Sequence, residues 1–172
     1  DGAYSENDTP SPVNHYGVSK HLGEQLLNIH NDKNFIIRTS SLYGKEGARG
    51  KGGNFIETMI NLSKTKDSIS VINDQFMSPT HTLDLSRFIK KIIDKNINEY
   101  GVYHFSGDGS CSWFEFTKKI FEYLEIKVEV IPVSESTYPS EIKRPKNSVM
   151  SLDKVKKIYN PQRWEEGLLE YL

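Results

Sequence analysis

Hydrophobic and polar positions along the chain switch repeatedly between helical and strand-like period. From Val13 to about Ile29, residues Tyr16, Lys20, Glu24 and Leu27 recur at steps of three and four, the spacing of one helix face. Ser11-Pro12 ahead of them predicts the helix start, a hydroxyl cap followed by a proline whose missing N–H costs nothing in the first turn. Asn31-Asp32 predicts its end. Phe35 to Tyr43 is a short branched and apolar run left through Gly44, which reads as one buried strand, so helix and strand together predict a crossover unit of a parallel sheet.

Beyond Gly44 the pattern continues. Phe55 to Leu62 has helical spacing, Ile69 to Ile72 is a candidate strand, and Asp74 to Thr82, with Pro79, reads as a turn-rich connector. Leu83, Leu85, Phe88, Ile89, Ile92 and Ile93 form an amphipathic helix behind a Thr82 cap. Val102 to Phe105 follows as a strand and Trp113, Phe116, Ile120 and Leu124 as a helix face. Val128 to Val133 is a strand interrupted by Pro132. Two short helical patterns, Val155 to Tyr159 and Trp164 to Leu172, close the chain. Helices alternating with short buried strands define an α/β fold.

At 172 residues the chain has one domain's length, enough to bury roughly 70% of its unfolded surface without staples. Lys and Arg number 22 against 23 Asp and Glu, a net charge of -1, which disfavours a charge-driven binder of nucleic acid or anionic membrane. Cys111 stands alone and makes neither an internal disulfide nor a cysteine zinc site, so a reducing cytoplasm is expected. Apolar runs such as Phe35-Ile36-Ile37 fall far short of the roughly 20 residues that span a bilayer, and nothing at the start reads as a secretory signal. The first residue is Asp1 and not Met, which leads us to expect a piece of a longer polypeptide.

The chemically informative stretch is Tyr16-Gly17-Val18-Ser19-Lys20. A spacing of four places phenol and ammonium on one helix face. A nearby cation favours the ionised phenol, so such a pair can exchange a proton with a carbonyl under reduction or an alcohol under oxidation. Spacing alone is not selective, since Tyr123 and Lys127 repeat it, but those two straddle the end of a helix. Gly107-Asp108-Gly109-Ser110-Cys111-Ser112 follows a strand and opens a helix, yet carries Ser at the third glycine position of a dinucleotide fingerprint and reads as a tight turn. Gly44 to Gly53, with Lys45, Arg49 and Lys51, is a basic glycine-rich loop that fails the phosphate-loop pattern. The histidines at 15, 21, 30, 81 and 104 show no metal-ligand spacing, so no metal site is expected.

Several segments in order are similar to the C-terminal portion of the dTDP-4-dehydrorhamnose reductases, extended short-chain dehydrogenases/reductases. They are Asp1-Gly2, Pro12 to Lys20 with Gly23-Glu24, Arg38-Thr39-Ser40 leading to Tyr43-Gly44, Gly53-Asn54-Phe55, Asp74-Gln75 with Ser78-Pro79-Thr80, Ser112-Trp113, and Arg144-Pro145 with Ser148. The Tyr-Gly-x-Ser-Lys core is common to many extended reductases, epimerases and dehydratases; the other runs narrow the resemblance. Where the family usually carries Trp after Arg-Thr-Ser, this chain has Ser41, which removes an aromatic wall and loosens the expected sugar specificity.

The resemblance implies the closing part of a Rossmann-like doubly wound parallel sheet plus a small α+β substrate-binding lobe. Residues 1–52 and 82–106 would be the Rossmann elements and 53–81 and 107–172 the lobe, with the N-terminal dinucleotide-binding half absent. It implies NADPH- or NADH-dependent reduction of dTDP-4-dehydro-L-rhamnose to dTDP-L-rhamnose by the intact parent, the 172-residue chain alone being inactive. Tyr16 would protonate the incipient alkoxide, and Lys20 would bind the nicotinamide ribose and lower the phenol's pKa. Thr39, Ser40, Ser41, Asn54 and Phe55 would border the sugar, and Arg144 would meet the diphosphate. A homodimer and a divalent ion at a subunit contact stay open. The rivals are a sugar-nucleotide epimerase or dehydratase of the same superfamily and a non-catalytic regulatory or binding subunit.

Overall fold

The computed structural model describes residues 2–46, 53–138 and 141–172. Helix α1 (His15–His30) leads into strand β1 (Phe35–Thr39) and then β2 (Leu42–Tyr43). Helix α2 (Phe55–Ser63), strand β3 (Ser68–Ile72), the short strands β4 (Phe76–Met77) and β5 (Thr80–His81), and helix α3 (Thr82–Asp94) follow. Strand β6 (Gly101–Phe105), β7 (Cys111–Ser112), helix α4 (Trp113–Tyr123), β8 (Glu129–Val133) and helix α5 (Trp164–Tyr171) complete the order. The strands pair in twos: β1 with β6, β2 with β5 and β3 with β8 are parallel, and β4 with β7 is antiparallel.

Two apolar clusters hold these elements. Phe88 and Ile92 of α3 pack on Tyr103 and Phe105 of β6, joined by Leu152 and Val155 from the C-terminal stretch. Phe88 and Phe105 stack with centroids 4.9 Å apart. The larger cluster gathers Ile56 and Met59 of α2, Ile69 and Val71 of β3, Phe116 and Ile120 of α4, and Trp164 and Leu168 of α5. Burying this apolar surface is the dominant favourable contribution to folding. Asp84, buried in the first turn of α3, fastens the C-terminal segment by accepting hydrogen bonds from the Tyr159 hydroxyl and the Gln162 N–H, at 2.5 and 3.0 Å.

The structure corrects the sequence reading in four places. Helix α1 begins at His15 and not at Ser11-Pro12, because Asn14 is its cap: the side-chain oxygen accepts from the Gly17 N–H at 2.9 Å. The expected single strand from Phe35 to Tyr43 is broken at Ser40–Ser41, where Ser41 adopts φ 45°. Thr80 enforces the break, its hydroxyl donating to the Ser40 carbonyl at 2.5 Å and its N–H to the Ser41 carbonyl at 3.1 Å. The connector from Asp74 to Thr82 contains β4 and β5, short strands whose partners lie far away in sequence. His81, not Thr82, is the cap residue of α3. Residues 47–52 of the basic loop, Arg49 and Lys51 among them, lie outside the described residues, as does Asp1.

Helix α1 is unusual in burying none of its residues. Gly17, His21 and Glu24 face the rest of the chain, and Val18, Leu22, Leu26 and Ile29 are exposed.

Candidate active site

Tyr16 stands in the first turn of α1 and is 72% exposed; Lys20, one turn on, is exposed beside it. The Lys20 ammonium lies 5.4 Å from the centre of the Tyr16 ring, so the two side chains share a helix face. With no buried residue of its own, α1 is held by polar anchors. Asn14 secures its N-terminus. Eight residues beyond Tyr16, Glu24 accepts two hydrogen bonds from the Arg38 guanidinium of β1, at 2.8 and 2.6 Å. Those bonds hold the Glu24 carboxyl below the usual carboxylate range and raise the Arg38 pKa.

Beside the N-terminus of α1 opens a cleft of about 900 Å³. Arg38, Thr39 and Ser40 at the end of β1 and His104 of β6 line it, with Lys146 and Ser148 on the opposite wall. That wall is a strap, residues 143–151, stitched across the fold at several points. Asn14 donates to the Lys143 carbonyl at 2.8 Å. The Phe76 N–H donates to the Lys146 carbonyl at 2.8 Å, and the Ser148 N–H to the Phe76 carbonyl at 2.9 Å. The Ser40 and Ser148 hydroxyls are 3.1 Å apart. Tyr4 pairs with the strap on its other side, its N–H donating to the Val149 carbonyl and its carbonyl accepting from the Ser151 N–H. Three runs that stand apart in sequence, around Arg38, Phe76 and Arg144, thus meet in one place.

His104 closes the inner end of the cleft, with Nδ1 3.0 Å from the Tyr4 carbonyl and its backbone N–H donating to Glu6 at 2.9 Å. Burial lowers the His104 pKa against the opposing pull of Glu6.

Thr39 and Ser40 are brought into the cleft. Tyr16 and Lys20 are brought together on α1 but are not among the residues lining the cleft; Val13, three positions before Tyr16, is. Ser41 does not line it, because its carbonyl is tied to Thr80 in the backbone break. Asn54 and Phe55 are set apart from it. They line a second cavity of about 900 Å³ with Tyr43, His81 and Glu170. The Asn54 amide is engaged there, accepting from the Glu57 N–H to cap α2 and donating to the Gly44 carbonyl and the Tyr171 hydroxyl. Phe55 packs on Trp113 at 4.5 Å. Arg144 is exposed on the strap and has no ion-pair partner among the described residues. Sequence reasoning missed Asn14, Lys146 and Ser148 as parts of this site. The signal for Asn14 was present, since Asn caps helices as well as Ser does.

The Gly107–Ser112 turn is no phosphate cradle. A side chain at Gly107 would meet the Pro79 carbonyl oxygen at 2.4 Å and the Trp164 backbone at 3.0 Å, so that glycine serves a close backbone approach inside the chain. Gly109 takes φ 97°, as a tight turn demands.

Parallel strand pairs carrying helices give a mixed α/β fold of the Rossmann-like class, which solved reductase and epimerase structures share. Within that class, the chain belongs to the family described as the RmlD substrate binding domain, which matches residues 1–172. It is 38% identical over 170 residues to the spore coat polysaccharide biosynthesis protein SpsK of Bacillus subtilis, covering 98% of this chain and 57% of that protein. It is 35% identical to a dTDP-4-dehydrorhamnose reductase of Aggregatibacter actinomycetemcomitans, over 97% of this chain and 59% of the relative. The crystal structure of dTDP-4-dehydrorhamnose reductase from Bacillus anthracis in complex with NADP superimposes with a TM-score of 0.89 at 44% identity, covering 98% of this chain and 58% of that one. The chain therefore spans somewhat over half the length of the relatives it matches.

Proposed function

We propose that this chain supplies the catalytic pair and the substrate-binding side of an NAD(P)H-dependent reductase converting dTDP-4-dehydro-L-rhamnose to dTDP-L-rhamnose. The observation that carries the reading is Tyr16 and Lys20 on one exposed face of a helix whose preceding residue Val13 lines the cleft where the family's other motifs converge. Residues 1–52 and 82–106 belong to the Rossmann part in this reading, and 53–81 and 107–172 to the substrate lobe. The reaction is placed in the reducing cytoplasm that a lone, buried Cys111 fits; no described helix is long and apolar enough to cross a membrane.

The fit to a nicotinamide cofactor is one-sided. Tyr16 and Lys20 are exposed and free of ion pairs among the described residues, and they would hold the nicotinamide ribose. The space beside Gly107 is filled by the chain's own backbone, so the pyrophosphate falls to a dinucleotide-binding half outside these residues. The exposed apolar residues Val18, Leu22, Leu26 and Ile29 suit a helix that such a half covers. When bound, the reduced nicotinamide supplies the hydride. The Tyr16 hydroxyl gives its proton to the oxygen of the 4-keto group as the alkoxide forms, and the Lys20 ammonium stabilises the phenolate left behind. Thr39 and Ser40 border the sugar, and Arg144 with Lys146 meets the diphosphate. Asn54 and Phe55 shape the neighbouring cavity instead of the sugar site.

The test is stoichiometry. The full-length polypeptide, given dTDP-4-dehydro-L-rhamnose and NADPH, is expected to consume one NADPH per dTDP-L-rhamnose formed. Interconversion of sugar nucleotides without net NADPH loss would assign an epimerase or dehydratase instead, and no conversion at all a binding subunit. The 172-residue chain alone is expected neither to turn over nor to bind NADPH in the micromolar range by calorimetry.

A further inference from the structure

The Asn14 side chain hydrogen-bonds both to helix α1 and to the strap. Its Oδ1 accepts from the Gly17 N–H at 2.9 Å, fixing the first turn that carries Tyr16. Its Nδ2 donates to the Lys143 carbonyl at 2.8 Å, 129 positions further along the chain. Lys143 immediately precedes Arg144, and Lys146 lines the cleft two residues beyond. The strap also bonds to Phe76, Ser40, Gly2 and Tyr4, through Lys146, Asn147, Ser148, Val149 and Ser151, all downstream of Arg144. The Asn14 amide thus anchors the strap on the upstream side of the arginine, and the same group starts the helix that presents the phenol.

An amide is the side chain suited to both tasks, since it accepts through oxygen and donates through nitrogen at one planar terminus. Serine at this position accepts for the cap but does not reach the Lys143 carbonyl. Aspartate caps well, yet sets a carboxylate against that carbonyl and has no proton to donate at neutral pH.

We propose that Asn14 is a positioning residue that couples the site for the substrate's diphosphate, carried by Arg144 and Lys146 on the strap, to the placement of Tyr16 on α1. The proposal rests on the reductase reading for the identity of the reaction, but the coupling itself is a matter of diphosphate binding. With the sugar nucleotide's diphosphate held by the strap, the Asn14 amide fixes the distance from that grip to the phenol. A nucleoside diphosphate on the strap then steadies the turn that delivers the proton.

The experiment uses the full-length protein, with Asn14→Asp, Asn14→Ser, Arg144→Ala and the double variant Asn14→Asp/Arg144→Ala. Calorimetry with dTDP reads the strap without turnover, and steady-state kinetics read the substrate's KM and kcat. Far-UV circular dichroism and the melting temperature show whether α1 survives; Asn14→Ser stands in where Asn14→Asp fails to fold. We expect Asn14→Asp to weaken dTDP binding, to raise KM by about tenfold and to lower kcat by about tenfold, with NADPH affinity unaltered. The Asn14 and Arg144 effects are expected to be less than additive, the mark of two groups acting through one strap. Unaltered dTDP affinity, additive effects, or a loss confined to KM or to kcat alone would overturn the coupling. A protein that binds dTDP with the expected pattern but reduces no 4-keto sugar would leave the coupling standing and sink the reductase reading. Absence of dTDP binding in the unmodified protein would sink both.

Discussion

Arg38 on β1 donates to both carboxylate oxygens of Glu24 on α1, through Nε at 2.8 Å and Nη2 at 2.6 Å. The bond pair ties a strand with a buried partner to a helix that buries nothing, so the orientation of Tyr16 depends on a fork and a cap instead of on apolar packing. Replacing Arg38 by Met leaves the half-buried Glu24 carboxylate without its partner and is expected to cost about 2 kcal/mol in urea unfolding. Arg38→Lys keeps the charge but not the fork and should recover only part of that loss. An Arg38→Met protein as stable as the parent would show that α1 is held by something else.

A second carboxylate sets the acid limit. Glu170 of α5 accepts from Arg87 of α3 at 3.0 and 2.6 Å, and those bonds, above all other influences, bring its pKa down to about 2. Its unfolded value is near 4.5, so its stabilisation is fully present above pH 4.5 and disappears as the pH falls from 4.5 toward 2. Melting temperatures measured across that window should fall more steeply for the parent than for Glu170→Gln, with the two curves parallel between pH 6 and 8. Equal slopes in the acid window would remove Glu170 from the explanation.

At the end of α4, Glu125 adopts φ 54°, a left-handed conformation that costs a side-chain-bearing residue energy and glycine almost none. It occupies the position just beyond the helix's last capped residue, where glycine is the usual occupant. Glu125→Gly is expected to stabilise the protein by about 0.5–1 kcal/mol, read as a higher urea midpoint with an unchanged m-value. A destabilised variant would mean that the glutamate makes a compensating contact.

The elements that bury apolar faces were legible in the sequence. Phe88 and Ile92 of α3, or Phe116 and Ile120 of α4, lie at helical spacing because those faces meet a core, and both helices form where the period places them. Helix α1 has no such face, and its start was misplaced by three residues. The bend at Ser41 was invisible locally, since it is imposed by Thr80, about 40 residues away along the chain. The site was legible as separate runs but not as a place. Ser40 and Ser148 are 108 positions apart and Asn14 and Lys143 are 129, separations over which residue spacing carries no information. Asn54 illustrates the converse, a residue that resembles a sugar contact in its motif and is engaged by the cap of α2 and by Tyr171.

The most direct test of the central claim is the effect of Tyr16→Phe on single-turnover reduction of dTDP-4-dehydro-L-rhamnose by the full-length protein, with NADPH affinity measured alongside. Removing one hydroxyl from a side chain that is 72% exposed leaves the fold untouched, so stability should not change. If the phenol is the proton donor, the reduction rate falls by at least about a hundredfold while NADPH binds as before. A variant that reduces the keto sugar at the parent's rate would contradict the assignment of Tyr16 and, with it, the reading of the cleft as a reductase active site.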